Sequence, residues 1–263
     1  MLLEAKRYIR QMIIPQIGIE GQKSLKNSQV LVIGCGGIGS IVIPLIAASG
    51  IGKIILCDND NIQLPNFNRQ IIYRENNIGS SKVLKSKEFV ELFNSDIEVE
   101  ALNVFVGPKN FESIFSSVDL VIDCTDRLAI KLFLNDACVL IGKALIHSAA
   151  IGFTGQVLTI PPYGKPCLRC FFEDRHMSVN LNCANAGILS ATVGVVGSII
   201  SMEVVKHLIN ISTNLVGKLL RIDLENNRFV TYDFIANKSC IACGDNVKVD
   251  PYDANNYESK LYF

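Results

Sequence analysis

The residues best suited to chemistry begin at Gly34-Cys-Gly-Gly-Ile-Gly39, which fits the pattern G-x-G-x-x-G. Gly34, Gly36, Gly37 and Gly39 permit a tight turn and a close approach of main-chain amides to phosphate at the start of a helix. Asp58 lies 19 residues after Gly39, where an acid that binds ribose is expected. This much suits a nucleotide without distinguishing a nicotinamide cofactor from ATP. The next segments decide for ATP. Asn66-Phe-Asn-Arg-Gln70 supplies the amides Asn66 and Gln70 and the cation Arg69, and Lys82 follows at the first turn of an expected helix. Asp123-Cys-Thr-Asp126 supplies two carboxylates suited to magnesium. A hydride-transferring oxidoreductase needs no such set, whereas a nucleotidyl transferase uses it to hold a triphosphate and its metal.

The nine cysteines form a second set. Cys167-Leu-Arg-Cys170 and Cys240-Ile-Ala-Cys243 are two C-x-x-C pairs, able together to supply four thiolates to one closed structural zinc site. The 69 residues between the pairs exceed a zinc ribbon's loop, so the metal would join segments distant in the chain. Cys183 stands apart. It follows the polar stretch from Glu173 to Asn182 and precedes a long expected helix, where a thiolate gains stabilisation, although a buried packing cysteine fits the same position. Cys35, Cys57, Cys124 and Cys138 read as core filling, His147 as a strand residue with a satisfied ring, and His176 as a loop residue.

Those groups need a frame. Short β-branched runs at 29–33, 53–57, 97–102, 118–122 and 144–148 alternate with helical patterns at 38–49, 80–94 and 128–141. That alternation implies a parallel sheet covered on both faces. In the helix at 80–94, Val83, Leu84, Phe89, Val90, Leu92 and Phe93 can share one apolar stripe. After Gly152 the pattern changes to strands at 155–160, 218–222 and 228–232 with one helix at 193–209, as for antiparallel strands added to the same sheet. Residues 1–244 therefore read as one domain, and the polar residues 245–263 as a mobile tail. Lys and Arg number 25 against 25 Asp and Glu, so no long-range field draws nucleic acid or anionic lipid. The N-terminus carries charges where a secretory signal needs an apolar run, and glycines interrupt both long uncharged stretches. With free cysteines, this implies a cytoplasmic location and no membrane span.

Arg7-Tyr-Ile-Arg-Gln11, the glycine loop, Asn66-Phe-Asn-Arg-Gln70, Gly79-Ser-Ser-Lys82, Cys124-Thr-Asp126 and the two cysteine pairs occur in one order along nearly the whole chain. In that order they resemble the ThiF/MoeB/HesA family, bacterial relatives of ubiquitin-activating enzymes. The resemblance implies a modified Rossmann fold: a mixed sheet, parallel in its N-terminal half with an antiparallel C-terminal extension, flanked by helices and carrying a structural zinc site. It implies a homodimer that adenylates the C-terminal glycine of a ubiquitin-like sulfur-carrier protein with Mg-ATP. Asp58 then matches the ribose acid, Asn66, Arg69, Gln70 and Lys82 the phosphate side, and Asp126 the magnesium ligand. Arg10 matches an arginine donated into the partner's site. Cys183 matches a cysteine used by some members in covalent or sulfur chemistry, and Cys167, Cys170, Cys240 and Cys243 match the zinc ligands. Arg127 departs from the family's usual asparagine and adds a cation beside Asp126. The chain ends 20 residues after Cys243, which implies a separate sulfur donor. Two other readings share these residues: activation of a peptide C-terminus in a natural-product or modification pathway, and an NAD-dependent oxidoreductase.

Overall fold

The computed structural model describes residues 2–172 and 187–257. Five parallel strands, β1 (Gln29–Ile33), β2 (Lys53–Cys57), β3 (Glu98–Leu102), β4 (Leu120–Asp123) and β5 (Ala144–Ile151), lie in the order 3-2-1-4-5. Then β6 (Thr154–Ile160), β7 (Lys218–Asp223) and β8 (Arg228–Asp233) continue the sheet as antiparallel neighbours. The mixed eight-stranded sheet anticipated from the change of pattern at Gly152 is therefore present. β1, β2 and β4 are almost wholly buried, which explains their unbroken β-branched composition.

One face of the sheet is covered by α3 (Gly39–Ala48), α4 (Lys82–Phe93) and α8 (Ser190–Leu208). The other carries α5 (Phe111–Phe115), α6 (Leu128–Ile141) and α7 (Leu168–Phe172). Two helices not anticipated, α1 (Leu2–Met12) and α2 (Gly18–Asn27), pack at the far end, where Tyr8 receives a hydrogen bond from Asn94 Nδ2. α8 is long and apolar enough to cross a membrane by length and composition, but in this fold it packs on α3, β5 and β6.

The expected stripe on α4 is narrower than its spacing suggests. Val83 and Val90 are buried, whereas Leu84, Leu92 and Phe93 are exposed. The helix lies over β2 and β3 at the sheet edge, so only its inward face meets the core. Part of the polar C-terminal stretch packs on the domain as far as it is described. Val249 packs against the core, Tyr252 meets Phe111 with ring centroids 5.1 Å apart, and Tyr257 is 2% exposed. The Tyr257 hydroxyl donates to Asp136 Oδ2 at 2.8 Å, and Arg169 grips both oxygens of the same carboxylate at 2.8 and 2.7 Å. Polar composition concealed three apolar anchors.

Candidate functional site

A cavity of about 880 Å³ opens at the carboxyl ends of β1, β2 and β4, where the strand order reverses direction around β1. Sequence physics builds its floor first. Gly34 has φ +95°, and a Cβ there would lie 2.8 Å from the Cys124 carbonyl oxygen; one on Gly39 would lie 2.2 Å from the Gly34 oxygen. Both positions therefore exclude any side chain, and α3 starts at Gly39 with its amide end toward the cavity. Asp58 braces the turn: Cys35 N–H donates to its Oδ2, and Asp60 N–H to its Oδ1, each at 2.7 Å. Burial raises the Asp58 carboxyl above its ordinary value, and those amides and Lys82 offset only part of the rise.

Asn66 closes a short 3-10 turn at Leu64–Asn66, Arg69 and Gln70 follow it, and all three line the same cavity. Arg69 is held by the Asn68 side chain at 2.8 Å and the Pro65 carbonyl at 3.1 Å. Gln70 is 2% exposed, and among the described residues its buried Oε1 has no hydrogen-bond partner, the mark of a group arranged for a ligand. Lys82 begins α4 and pairs with Asp60 at 2.8 Å. Tyr73, a lone tyrosine with no motif around it, ties these parts together. Its hydroxyl reaches the Cys35 carbonyl at 2.6 Å, Ser86 Oγ at 3.0 Å and the Lys82 carbonyl at 3.3 Å.

The two carboxylates after β4 have separate fates. Asp126 is exposed and lines the cavity beside Arg127. Asp123 is not available to a metal, contrary to the pairing expected from sequence. It is fully buried and bonded by Lys131 Nζ at 3.1 Å, His147 Nδ1 at 2.9 Å and the Thr125 hydroxyl at 2.7 Å. Its own burial pushes the carboxyl up, and Lys131, His147 and Thr125 overcome that and hold it down to about 2. A lysine eight places beyond a strand-end acid, in the first turn of the following helix, is the signal that could have revealed Lys131.

The cavity continues past Asp126 over the antiparallel strands, where Ala149, Ala150, Gly155, Gln156, Leu219, Arg221 and Tyr232 line it. Arg10 is exposed on α1 and does not line this cavity. Cys183 and His176 lie outside the described residues. Cys35, Cys57, Cys124 and Cys138 are buried, and burial pushes their thiols up, that of Cys57 to about 12, as suits packing residues.

Cys167, Cys170, Cys240 and Cys243 come together although sequence separates the pairs. Their sulfurs all lie within 4.8 Å of one another, with Cys167–Cys170, Cys167–Cys240 and Cys170–Cys243 at 3.9, 3.6 and 3.3 Å. Zinc–sulfur bonds of about 2.3 Å in a tetrahedron place sulfurs about 3.8 Å apart, so the four thiols fit a metal ion. They join α7 to the segment after β8.

Comparison with known proteins agrees with this geometry. The ThiF family matches residues 8–242. The chain belongs to the ThiF family. It is 35% identical to the sulfur carrier protein adenylyltransferase of Thermus thermophilus over 92% of each chain. It is 34% identical to the SAMP-activating enzyme E1 of Haloferax volcanii, over 91% of this chain and 88% of that one. It is 37% identical to the adenylyltransferase and sulfurtransferase MOCS3 of Caenorhabditis briggsae, covering 92% of this chain but 61% of that relative's length. Among solved structures, E. coli MccB with AMPCPP and MccA superposes with a TM-score of 0.78 at 23% identity, covering 90% of this ThiF-family chain and 74% of MccB. That likeness establishes the shared fold.

Proposed function

We propose that this ThiF-family protein adenylates the C-terminal glycine of a ubiquitin-like sulfur-carrier protein with Mg-ATP, releasing pyrophosphate and preparing the carboxyl group for sulfur transfer. One observation carries the reading: the nucleotide-side residues Asp58, Arg69, Gln70 and Lys82 share a continuous cavity with the channel over β5, β6 and β7. A nucleotide alone would need only the first half. The activities named for the Thermus and Haloferax relatives support the same chemistry. None of the three named relatives favours a nicotinamide oxidoreductase or a natural-product peptide.

The chemistry follows from charge. A carboxylate oxygen of the carrier's last glycine bonds to the α-phosphorus as the bond to the β-phosphate breaks, and pyrophosphate leaves. An α-carboxyl group ionises at about 3.3–3.7, so the nucleophile needs no base at neutral pH. His147, the only histidine lining the cavity among the described residues, is already bonded to Asp123. Arg69, Lys82 and Arg127 can meet charge that builds on phosphate oxygens, stabilising the transition state more than the ground state. Asp60 keeps the Lys82 ammonium in place. Asp58 retains lone pairs for a ribose hydroxyl beside those taken by the loop amides. Asp126 would hold magnesium, which neutralises phosphate oxygens, and Asn66 would contribute on the phosphate side.

The remaining roles belong to the same reading. Arg10, exposed on α1, serves the site of a partner subunit in a homodimer. Cys183 acts in later covalent or sulfur chemistry with a separate donor, in the cytoplasm. Zinc at the four cysteines is structural, with no open position for substrate. The test is ATP–pyrophosphate exchange with Gly-Gly-ended ubiquitin-like proteins from the source organism. Exchange should require the terminal glycine. Exchange that ignores it, or none with any such protein, overturns the proposal.

A further inference from the structure

A chain of polar side chains, buried except for the half-buried Gln156, runs beneath the cavity, and nothing in the adenylation step above uses it. Lys131 Nζ contacts both oxygens of Asp123, at 3.2 and 3.1 Å, and donates to the Ser148 carbonyl at 2.6 Å. Asp123 Oδ2 faces His147 Nδ1 at 2.9 Å, and His147 Nε2 faces Gln156 Nε2 at 3.3 Å. His147 and Gln156 both line the cavity. Gln156 stands on β6 between Ala149 of β5 and Arg221 of β7.

The direction of each bond is forced. The carboxylate can only accept, so His147 Nδ1 carries the proton. Burial lowers the tendency of the ring to take a second one, and nearby Lys131 acts in the same direction against Asp123. Nε2 of the neutral ring is then an acceptor, so the amide nitrogen of Gln156 must turn toward it. That leaves the Gln156 carbonyl oxygen at the other end of the carboxamide. Among the described residues it has no hydrogen-bond partner.

A peptide threading this channel meets few side-chain acceptors. β6 is paired with β5 on one side and β7 on the other, so its main chain offers the peptide no free strand edge. Ala149, Ala150, Gly155 and Leu219 offer no side-chain acceptor and Arg221 only donates, which leaves Gln156 and the Thr154 and Tyr232 hydroxyls as the side-chain acceptors among these residues. An unpaired peptide N–H buried there would lose its hydrogen bond to water.

We propose that Gln156 binds the carrier's C-terminal segment, its carbonyl oxygen accepting a main-chain N–H, and that His147, anchored on Asp123, is the positioning residue that fixes this orientation. The inference rests on the adenylation reading and adds a substrate contact to it. An oxygen pointed at the peptide also repels the terminal carboxylate, steering it toward the cations at the phosphate end. With the carboxamide reversed, its NH2 would attract that carboxylate and hold it short of ATP.

The test is steady-state exchange with the Gly-Gly-ended carrier that the wild type accepts. Gln156→Met should raise the KM for carrier about fivefold, within the roughly 2- to 13-fold range of one neutral hydrogen bond, leaving the KM for ATP unchanged. His147→Asn keeps a donor for Asp123 but loses the acceptor for Gln156, and should match it. His147→Gln, whose amide oxygen can occupy the Nε2 position, should recover part of the loss. Combining Gln156→Met with His147→Asn should add nothing to either alone. A carrier ending in N-methylglycine, which lacks the last N–H, reads the contact directly: wild type should lose several-fold and Gln156→Met no more than its own loss. An unchanged carrier KM in Gln156→Met, or additive losses in the double variant, overturns the inference. Absence of carrier-dependent exchange in the wild type would instead overturn the adenylation reading itself.

Discussion

Replacing Lys131 by methionine should expose how much the fold relies on the buried pair beneath the cavity. Lys131 is 4% exposed and Asp123 fully buried, with 3.1 Å between Nζ and Oδ2. Removing one partner of such a pair leaves an uncompensated charge and typically costs about 3–5 kcal/mol. His147 and Thr125 remain as donors, which places Lys131→Met near the lower end, about 3 kcal/mol. For a chain of this size that lowers the melting temperature by about 6–12 °C.

The pH dependence carries the sharper test. A carboxyl held at about 2 against an ordinary 3.8 stabilises the folded state above the unfolded value, and that stability is lost as pH falls toward 2. The shift corresponds to about 2.5 kcal/mol at pH 7 and about 1.3 kcal/mol at pH 3. Without Lys131 the folded carboxyl moves up and this contribution shrinks or reverses. The gap between wild type and Lys131→Met should therefore narrow by about 1 kcal/mol between pH 7 and pH 3, measured by urea unfolding. Asp123→Asn added to Lys131→Met removes the stranded charge and should regain part of the loss. A gap that stays constant with pH, or no destabilisation at pH 7, refutes the reasoning.

Arg69→Ala and Asp126→Ala should each lower carrier-dependent pyrophosphate exchange about 10²–10³-fold, the usual consequence of losing one preorganised group on developing charge; near-normal exchange in both would remove them from the site. Cys183→Ala should retain adenylation and lose only later sulfur or thioester chemistry, read by comparing exchange with sulfur transfer to the carrier. Metal analysis of the purified protein should find one zinc per chain, and Cys170→Ser should reduce it and lower the melting temperature; full stability with no metal would contradict a structural zinc. Tyr257→Phe should cost about 1 kcal/mol through its bond to Asp136, and Tyr257→Ala about 3 kcal/mol or more as a cavity opens beside Phe133; no change on urea unfolding would show that the last described turn contributes nothing.

The sequence by itself determined the elements whose signals are local. β1 and β2 were legible because buried parallel strands are continuous β-branched runs, and α6 because Arg127 and Gly142 bound it, the latter in a left-handed conformation with φ +68°. The glycine loop, Asp58 and Lys82 could be placed because each sits at a strand end or helix start that its own neighbours define, whereas Arg69 lies in a turn beyond a short 3-10 stretch. Tertiary structure decided what depends on distance. Asp123 and Asp126 look alike three residues apart, yet only the fold places Lys131 and His147 against the first and leaves the second in the cavity. Val83 and Leu84 are both apolar on one helix, yet α4 lies at the sheet edge and can bury only one of them. Tyr73 and Gln156 carry no motif, since a single hydrogen bond to a distant main-chain or ring atom leaves no periodic trace. Spacing along a chain records which groups can share a turn, but a buried charge chooses its partner in space, because only there is water replaced.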